Sequence, residues 1–234
     1  MAYENRFKNF FTSPRISRPT MKALAAYTLA AEEAPAPPAG APDTAKMAKE
    51  LRPLYEKFDG SLGTGASAKA TRQDQTVDVD ASFEALRAWP AEAARRFIMP
   101  QFAEGTGAYT AFFPEGRTAF SQASRKKIGT RMAAFIAAAE KYTAEVGPET
   151  AAQAKTLLAA YTADELTQGK AKKQTKDGST AIGTDQLALA VVLFKHYGTL
   201  IAAFADQPDR AAKYFDLSRI PESTSKTAKA KPSL

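Results

Sequence analysis

Apolar side chains recur along this chain at three- and four-residue intervals, in blocks separated by long polar stretches. In the second half, Phe120, Ala123, Ile128, Met132, Phe135, Ile136, Ala139 and Tyr142 keep mostly that spacing, which predicts an amphipathic helix. Pro148 suits a helix start with Glu149 in its first turn, and this helix is expected to run to about Leu166. A further helix is expected from Asp185 to Phe204, apolar on nearly all sides from Leu187 to Phe194 and therefore central, then a short terminal helix with Asp206 as its cap. In the first half, Ser17 or Thr20 caps a helix reaching about Glu33, which the prolines of "APAPPAGAP" end. A second helix is expected from roughly Asp43 to Phe58, with Pro53 predicting a kink, and a third from near Asp80 toward Phe112, divided at Trp89-Pro90 and Met99-Pro100. The intervening stretches, Gly60–Asp80 and Thr167–Asp185, read as glycine-bearing linkers, with Asp80 and Asp185 capping the next helix in each half.

The pattern occurs twice. Leu24–Glu32 (LAAYTLAAE) matches Met132–Glu140 (MAAFIAAAE) at an offset of 108, and Ala48–Asp59 matches Ala154–Glu165 at an offset of 106. In both halves the second match is followed by a polar stretch ending in aspartate, at Asp80 and Asp185, which makes a third match. Three matches in the same order predict an internally duplicated, antiparallel helical bundle with roughly three principal helices per repeat. The repeats would cover about 15–117 and 118–220 of one domain, and 222–234 would be a disordered basic tail carrying Lys226, Lys229 and Lys231. Phe7, Phe10 and Phe11 are expected to clamp the N-terminal arm, and Tyr109–Phe120 to form an aromatic joint between repeats near Arg117.

Composition sharpens the class. Alanine accounts for 49 of 234 residues, and a strong, small helix former in that proportion points to an all-α fold. Cysteine is absent, which excludes disulfides and thiol nucleophiles. The opening residues show no secretory pattern and Leu187–Phe194 is too short to cross a bilayer, so the expectation is a cytoplasmic protein without membrane insertion.

Candidate chemistry is sparse. His196 is the only histidine, sequence order gives it no catalytic partner, and it reads as a packed helical side chain. No Cys/His set suits zinc. Asp74, Asp78 and Asp80 miss the EF-hand spacing, because Val79 and Ala85 stand where glycine and the bidentate acid belong. Gly60, Gly63 and Gly65 lack the Gly-Lys-Ser/Thr of a phosphate loop, and the paired acids Glu32 and Glu33 do not define a glycosidase. No catalytic residue, cofactor or metal is assigned.

Charge adds one candidate surface. The formal charge is +7, and up-down topology brings the start of the Ile128 helix toward the linker after the next helix. Arg125, Lys126, Lys127 and Arg131 would then share one pole with Lys170, Lys172, Lys173 and Lys176. Cations at a helix start oppose its dipole, so their presence suits an anionic ligand. The reading is a noncatalytic helical scaffold or protein-interaction module with a protein partner or a second copy of itself. The alternative is a nucleic-acid-associated or other polyanion-binding protein that uses the basic pole.

Overall fold

The computed structural model describes residues 8–35 and 37–220; Phe7 and the expected tail at 222–234 lie outside the described residues. Among the described residues there is no strand, and the chain is all-α. A 3-10 turn (Phe10–Thr12) precedes α1 (Arg18–Glu32), α2 (Thr44–Ala93), a π turn (Ala94–Ile98), α3 (Gly107–Phe112), α4 (Thr118–Ser121), α5 (Arg125–Lys141), α6 (Thr143–Val146), α7 (Pro148–Ala203) and α8 (Pro208–Ala212). A last 3-10 turn covers Leu217–Arg219.

Local sequence explains the ends. The Ser17 side chain accepts from Thr20 N–H to cap α1, and Asp43 Oδ1 accepts from Lys46 N–H (2.9 Å) at the start of α2. Pro148 opens α7, directly after Gly147 turns the chain with φ 79°, a conformation that only glycine adopts cheaply. The terminal helix α8 takes Gln207, not Asp206, at its N-cap position.

The two stretches expected as linkers are helical. Helix α2 runs 50 residues through Gly60–Asp80, and α7 runs 56 residues through Thr167–Asp185. Asp80 and Asp185 are therefore mid-helix residues rather than caps. The polar residues that suggested loops are accommodated by back-bonding along the helix. Thr64, Thr71 and Thr76 donate to the carbonyls of Gly60, Ser67 and Arg72, while Thr167, Thr175 and Thr184 donate to Ala163, Ala171 and Thr180. Pro53 and Pro90 are likewise held inside α2. Replacing Gly63 or Gly169 by alanine meets nothing within 4 Å of the added carbon. Each change is expected to stabilise the fold by about 0.5–1 kcal/mol in urea unfolding, because alanine lowers the cost of helix formation.

The chain divides into two compact units, Met1–Ala66 with Asp177–Leu234, and Ser67–Lys176. Each draws residues from both of the ranges expected as repeats.

In the first unit, Met21 and Leu24 of α1, Leu51 and Phe58 of α2, and Leu189, Leu193 and Leu200 of α7 are fully buried together. Phe11 and Phe215 join them. Asn9 donates from Nδ2 to the carbonyl of Ala190 (3.0 Å), and the Phe10 ring packs edge-on against Tyr197 (5.1 Å), so Phe10 and Phe11 do clamp the arm. A carbon added at Gly65 would lie 2.6 Å from Ile182 Cδ1, which marks a close approach of α2 and α7. Lys57 and Ser61 of α2 bond Asp185 of α7 at 2.9 and 2.5 Å. These bonds hold the Asp185 carboxyl below its ordinary pKa, the Ser61 bond first. That contribution is present above the unfolded carboxyl pKa and lost as pH falls through the lower folded value. Asp185→Asn is accordingly expected to flatten the acid limb of a stability–pH curve.

In the second unit, Val79 and Leu86 of α2 pack with Phe112, Ile128, Met132 and Phe135. The Phe113 ring meets Phe120 and Phe135 at 6.0 and 5.9 Å, so the aromatic stretch expected as a joint between repeats forms part of this unit's own core. Trp89 packs against the same cluster.

Continuity also changes the reading of α7 toward membranes. It contains an 18-residue window of mean hydropathy 1.4, long and apolar enough to cross a bilayer by length and composition alone. Its apolar residues Leu189, Leu193 and Leu200 are buried in the first unit.

Candidate functional site

The structure separates the eight basic residues of the expected pole. Arg125 in the first turn of α5 pairs with Asp80 of α2, its guanidinium 5.5 Å from the centre of the Phe83 ring. Arg131 pairs with Glu115, donates to the carbonyl of Ala119 and is only 18% exposed. Lys126 and Lys127 are exposed, and Lys127 borders a cleft of about 350 Å³ with Ser124, Thr118 and Arg131. Lys170, Lys172, Lys173 and Lys176 are exposed side chains of α7 itself rather than of a linker. Arg125 sits at the level of Phe83, whose ring packs against Tyr161 (5.7 Å). The four lysines thus lie some nine to fifteen residues further along α7, roughly 14–22 Å at the α-helical rise.

The register of the two long helices in this unit is fixed by two polar contacts. Gln168 donates from Nε2 to Thr76 Oγ1 (3.2 Å), and Thr175 donates from Oγ1 to the carbonyl of Ala68 (3.3 Å). Lys172 Nζ donates to the other end of Gln168 (2.6 Å), so one buried amide bridges the helices and positions a surface cation.

A second constellation lies in the first unit, among residues the sequence left apart. Glu32 of α1 and His196 of α7 are buried with side-chain exposures of 0% and 2%, and Glu32 Oε1 lies 2.7 Å from His196 Nδ1. His196 Nε2 faces Glu50 Oε2 of α2 at 3.6 Å, too long for a hydrogen bond. Lys195 Nζ donates to both oxygens of Glu50 at 2.7 and 2.8 Å. Burial raises the pKa of Glu32, opposed by its bond to His196; the Lys195 bond lowers that of Glu50.

The expectation of His196 as a packed helical residue agrees with this position. Its partner was missed because Glu32 lies 164 residues away in sequence, and only the crossing of α1 and α7 brings the two together. The matched Glu140 is exposed and bonds Lys155, and nothing in the two like segments separates the buried acid from the exposed one. Chemically, the pair can hold or exchange a proton between carboxylate and imidazole, but both groups are sealed from solvent. Glu32 Oε2, His196 Nε2 and Thr28 Oγ1 make no hydrogen bond. Among the described residues, no group of three or more His, Cys, Asp and Glu side chains is arranged to hold a metal ion.

Apolar side chains supply the third feature. On the second unit, Ile136 of α5 and Leu158, Ala159, Ala163 and Leu166 of α7 line an open groove of about 470 Å³. Leu166 is 64% exposed there. Phe113 is buried in the second unit's core and Trp89 is half-buried against it, so neither adds to an exposed apolar face.

Compared with known proteins, the chain matches no protein-family model, no curated protein and no solved structure.

Proposed function

We propose that this protein is a noncatalytic helical scaffold, or protein-interaction module, built on a duplicated pair of one short and one long helix. The duplication is supported by where the matched segments fall. Leu24–Glu32 lies in α1 and Met132–Glu140 in α5, while Ala48–Asp59 lies in α2 and Ala154–Glu165 in α7. With the polar stretches helical, each repeat has two principal helices instead of three.

The interaction role rests on the apolar groove between α5 and α7. Ala159 and Ala163 are one turn apart and keep its floor low, while Ile136, Leu158 and Leu166 form its walls. Leu166, 64% exposed, stands in water at its edge, while Ile136 and Leu158 are anchored in the core beneath, and an apolar groove so edged suits a contact surface. The favoured occupant is a helix that sets an apolar ridge between those walls, from another protein or a second copy of this chain.

Copurification of the full chain from its native cell, paired with light scattering of the pure protein, tests the reading. A stoichiometric partner or a homo-oligomer is expected, lost on Leu166→Glu while the circular dichroism spectrum is unchanged. Repeated recovery of a lone monomer, or a complex that Leu166→Glu leaves intact, would contradict it.

A further inference from the structure

Five basic side chains on the helices of the second unit hold a carboxylate: Arg87 with Glu84, Arg96 with Glu92, Arg125 with Asp80, Arg131 with Glu115 and Lys155 with Glu140. Lys69 and Arg72 of α2 and Lys172 of α7 do not; all three are exposed, and none makes an ion pair among the described residues. The Ala68–Thr175 and Thr76–Gln168 contacts set these three cations at one level of the antiparallel pair.

Their facing is set by the helical repeat. Taking Ala68, Thr76 and Val79 as the inner face of α2, Arg72 points along the seam and Lys69 stands roughly 60° to one side of it. Taking Gln168, Ala171 and Thr175 as the inner face of α7, Lys172 stands roughly 70° and Lys176 roughly 110° round to that same side, since the helices are antiparallel. Lys173 points outward, and Lys170 lies on the opposite side. The carboxylates Asp74 and Asp78 fall on other faces of α2, while on the basic side Asp80 is taken by Arg125 and Glu165, bonded by Tyr161 (2.5 Å), keeps its charge but stands roughly 10 Å along α7 from Lys172. One side of the seam is thereby left with a net positive furrow.

We infer that the furrow formed by Lys69, Arg72 and Lys172 binds the phosphodiester backbone of a nucleic acid. Its form favours a linear polyanion. The furrow runs between two helices, so a chain of phosphates can lie along it, whereas a flat anionic membrane would reach only the helix crests. None of the exposed large apolar side chains lies within 67–76 or 168–176, so the furrow offers nothing to the side chains of an acidic peptide. Arg72 at the floor presents a planar fork to phosphate oxygens, flanked by lysines as point charges. No base edge is read by such a site, so binding should be indifferent to sequence and steeply dependent on salt.

The test uses the full chain and a fluorescein-labelled 20-nucleotide single strand and its duplex, titrated at several salt concentrations from about 50 to 200 mM. Expected is salt-sensitive binding that Lys69→Glu/Arg72→Glu/Lys172→Glu weakens at least about tenfold, with the slope of log affinity against log salt reduced by about two. A control triple on the first unit, Lys46→Glu/Lys49→Glu/Lys213→Glu, carries the same change in net charge and should lose much less. Both variants are checked by circular dichroism and thermal melting. If the first does not fold, Lys69→Gln/Lys172→Gln replaces it, with a severalfold loss expected. No binding at the lowest salt, equal losses in the two triples, or preference for phosphatidylserine vesicles or polyglutamate over nucleic acid would overturn the inference.

Discussion

Glu32→Ala is expected to destabilise the protein by about 3–5 kcal/mol, while the same change at the sequence-matched Glu140 costs about 0–1 kcal/mol. The two carboxylates end segments identical at five of nine positions, and they lie in opposite environments. Glu140 meets Lys155 at the surface, where both side chains are more than half exposed and water screens the pair. Glu32 is enclosed with His196, and its removal leaves the imidazole Nδ1 buried without the partner that orients it. Chemical denaturation of both variants at neutral pH measures the contrast. Equal effects would mean that the Glu32–His196 pair is not enclosed.

The same site carries a pH signature. Burial raises the folded pKa of Glu32 above its unfolded value, so the stability tied to its protonation is fully present below the unfolded pKa. It is lost as pH rises through the folded pKa. Glu32→Gln does not titrate and keeps an acceptor for the imidazole. The parent protein should therefore lose stability relative to Glu32→Gln across that window, an effect read by repeating denaturation at several pH values. Glu50 has the opposite sign: held below its ordinary pKa by Lys195, it contributes above the unfolded carboxyl pKa and ceases to as acid is added.

Thr71→Pro should cost about 3 kcal/mol or more. Residue 71 lies inside α2, where its hydroxyl donates to the carbonyl of Ser67, four residues back. Proline removes the backbone donor at that position and its ring clashes with the same carbonyl. In a flexible linker the substitution would be nearly neutral, or slightly stabilising through the unfolded state. A fall in helical signal at 222 nm and a lower urea midpoint are the expected readouts. An unchanged midpoint would mean that residue 71 is not in a helix.

Helix class and most ends were legible, because capping and proline chemistry are local: Ser17, Asp43 and Pro148 each sit at or beside the start that the sequence indicated. The centres of the long helices were not. Gly60, Gly63 and Gly65, or Gly169, Gly178 and Gly183, lower helix propensity wherever they occur, and the sequence carries no sign of the compensating contacts. Those contacts come from the other long helix: Gly65 meets Ile182 in one unit, and Thr175 and Gln168 bond across to α2 in the other. Of the expected basic pole, Lys172 belongs to the proposed furrow, joined there by Lys69 and Arg72, which the sequence had left among linker residues. Arg125 and Arg131 were misplaced because their carboxylate partners, Asp80 and Glu115, lie 45 and 16 residues away.

The register that defines the proposed furrow and the proposed pairing of short and long helices both require α2 and α7 to be unbroken. Backbone Cα chemical shifts across Gly60–Asp80 and Thr167–Asp185 in the full-length protein test this most directly. Continuous helical shifts through both stretches are predicted, with slow amide exchange. Random-coil shifts spanning either stretch would contradict the account.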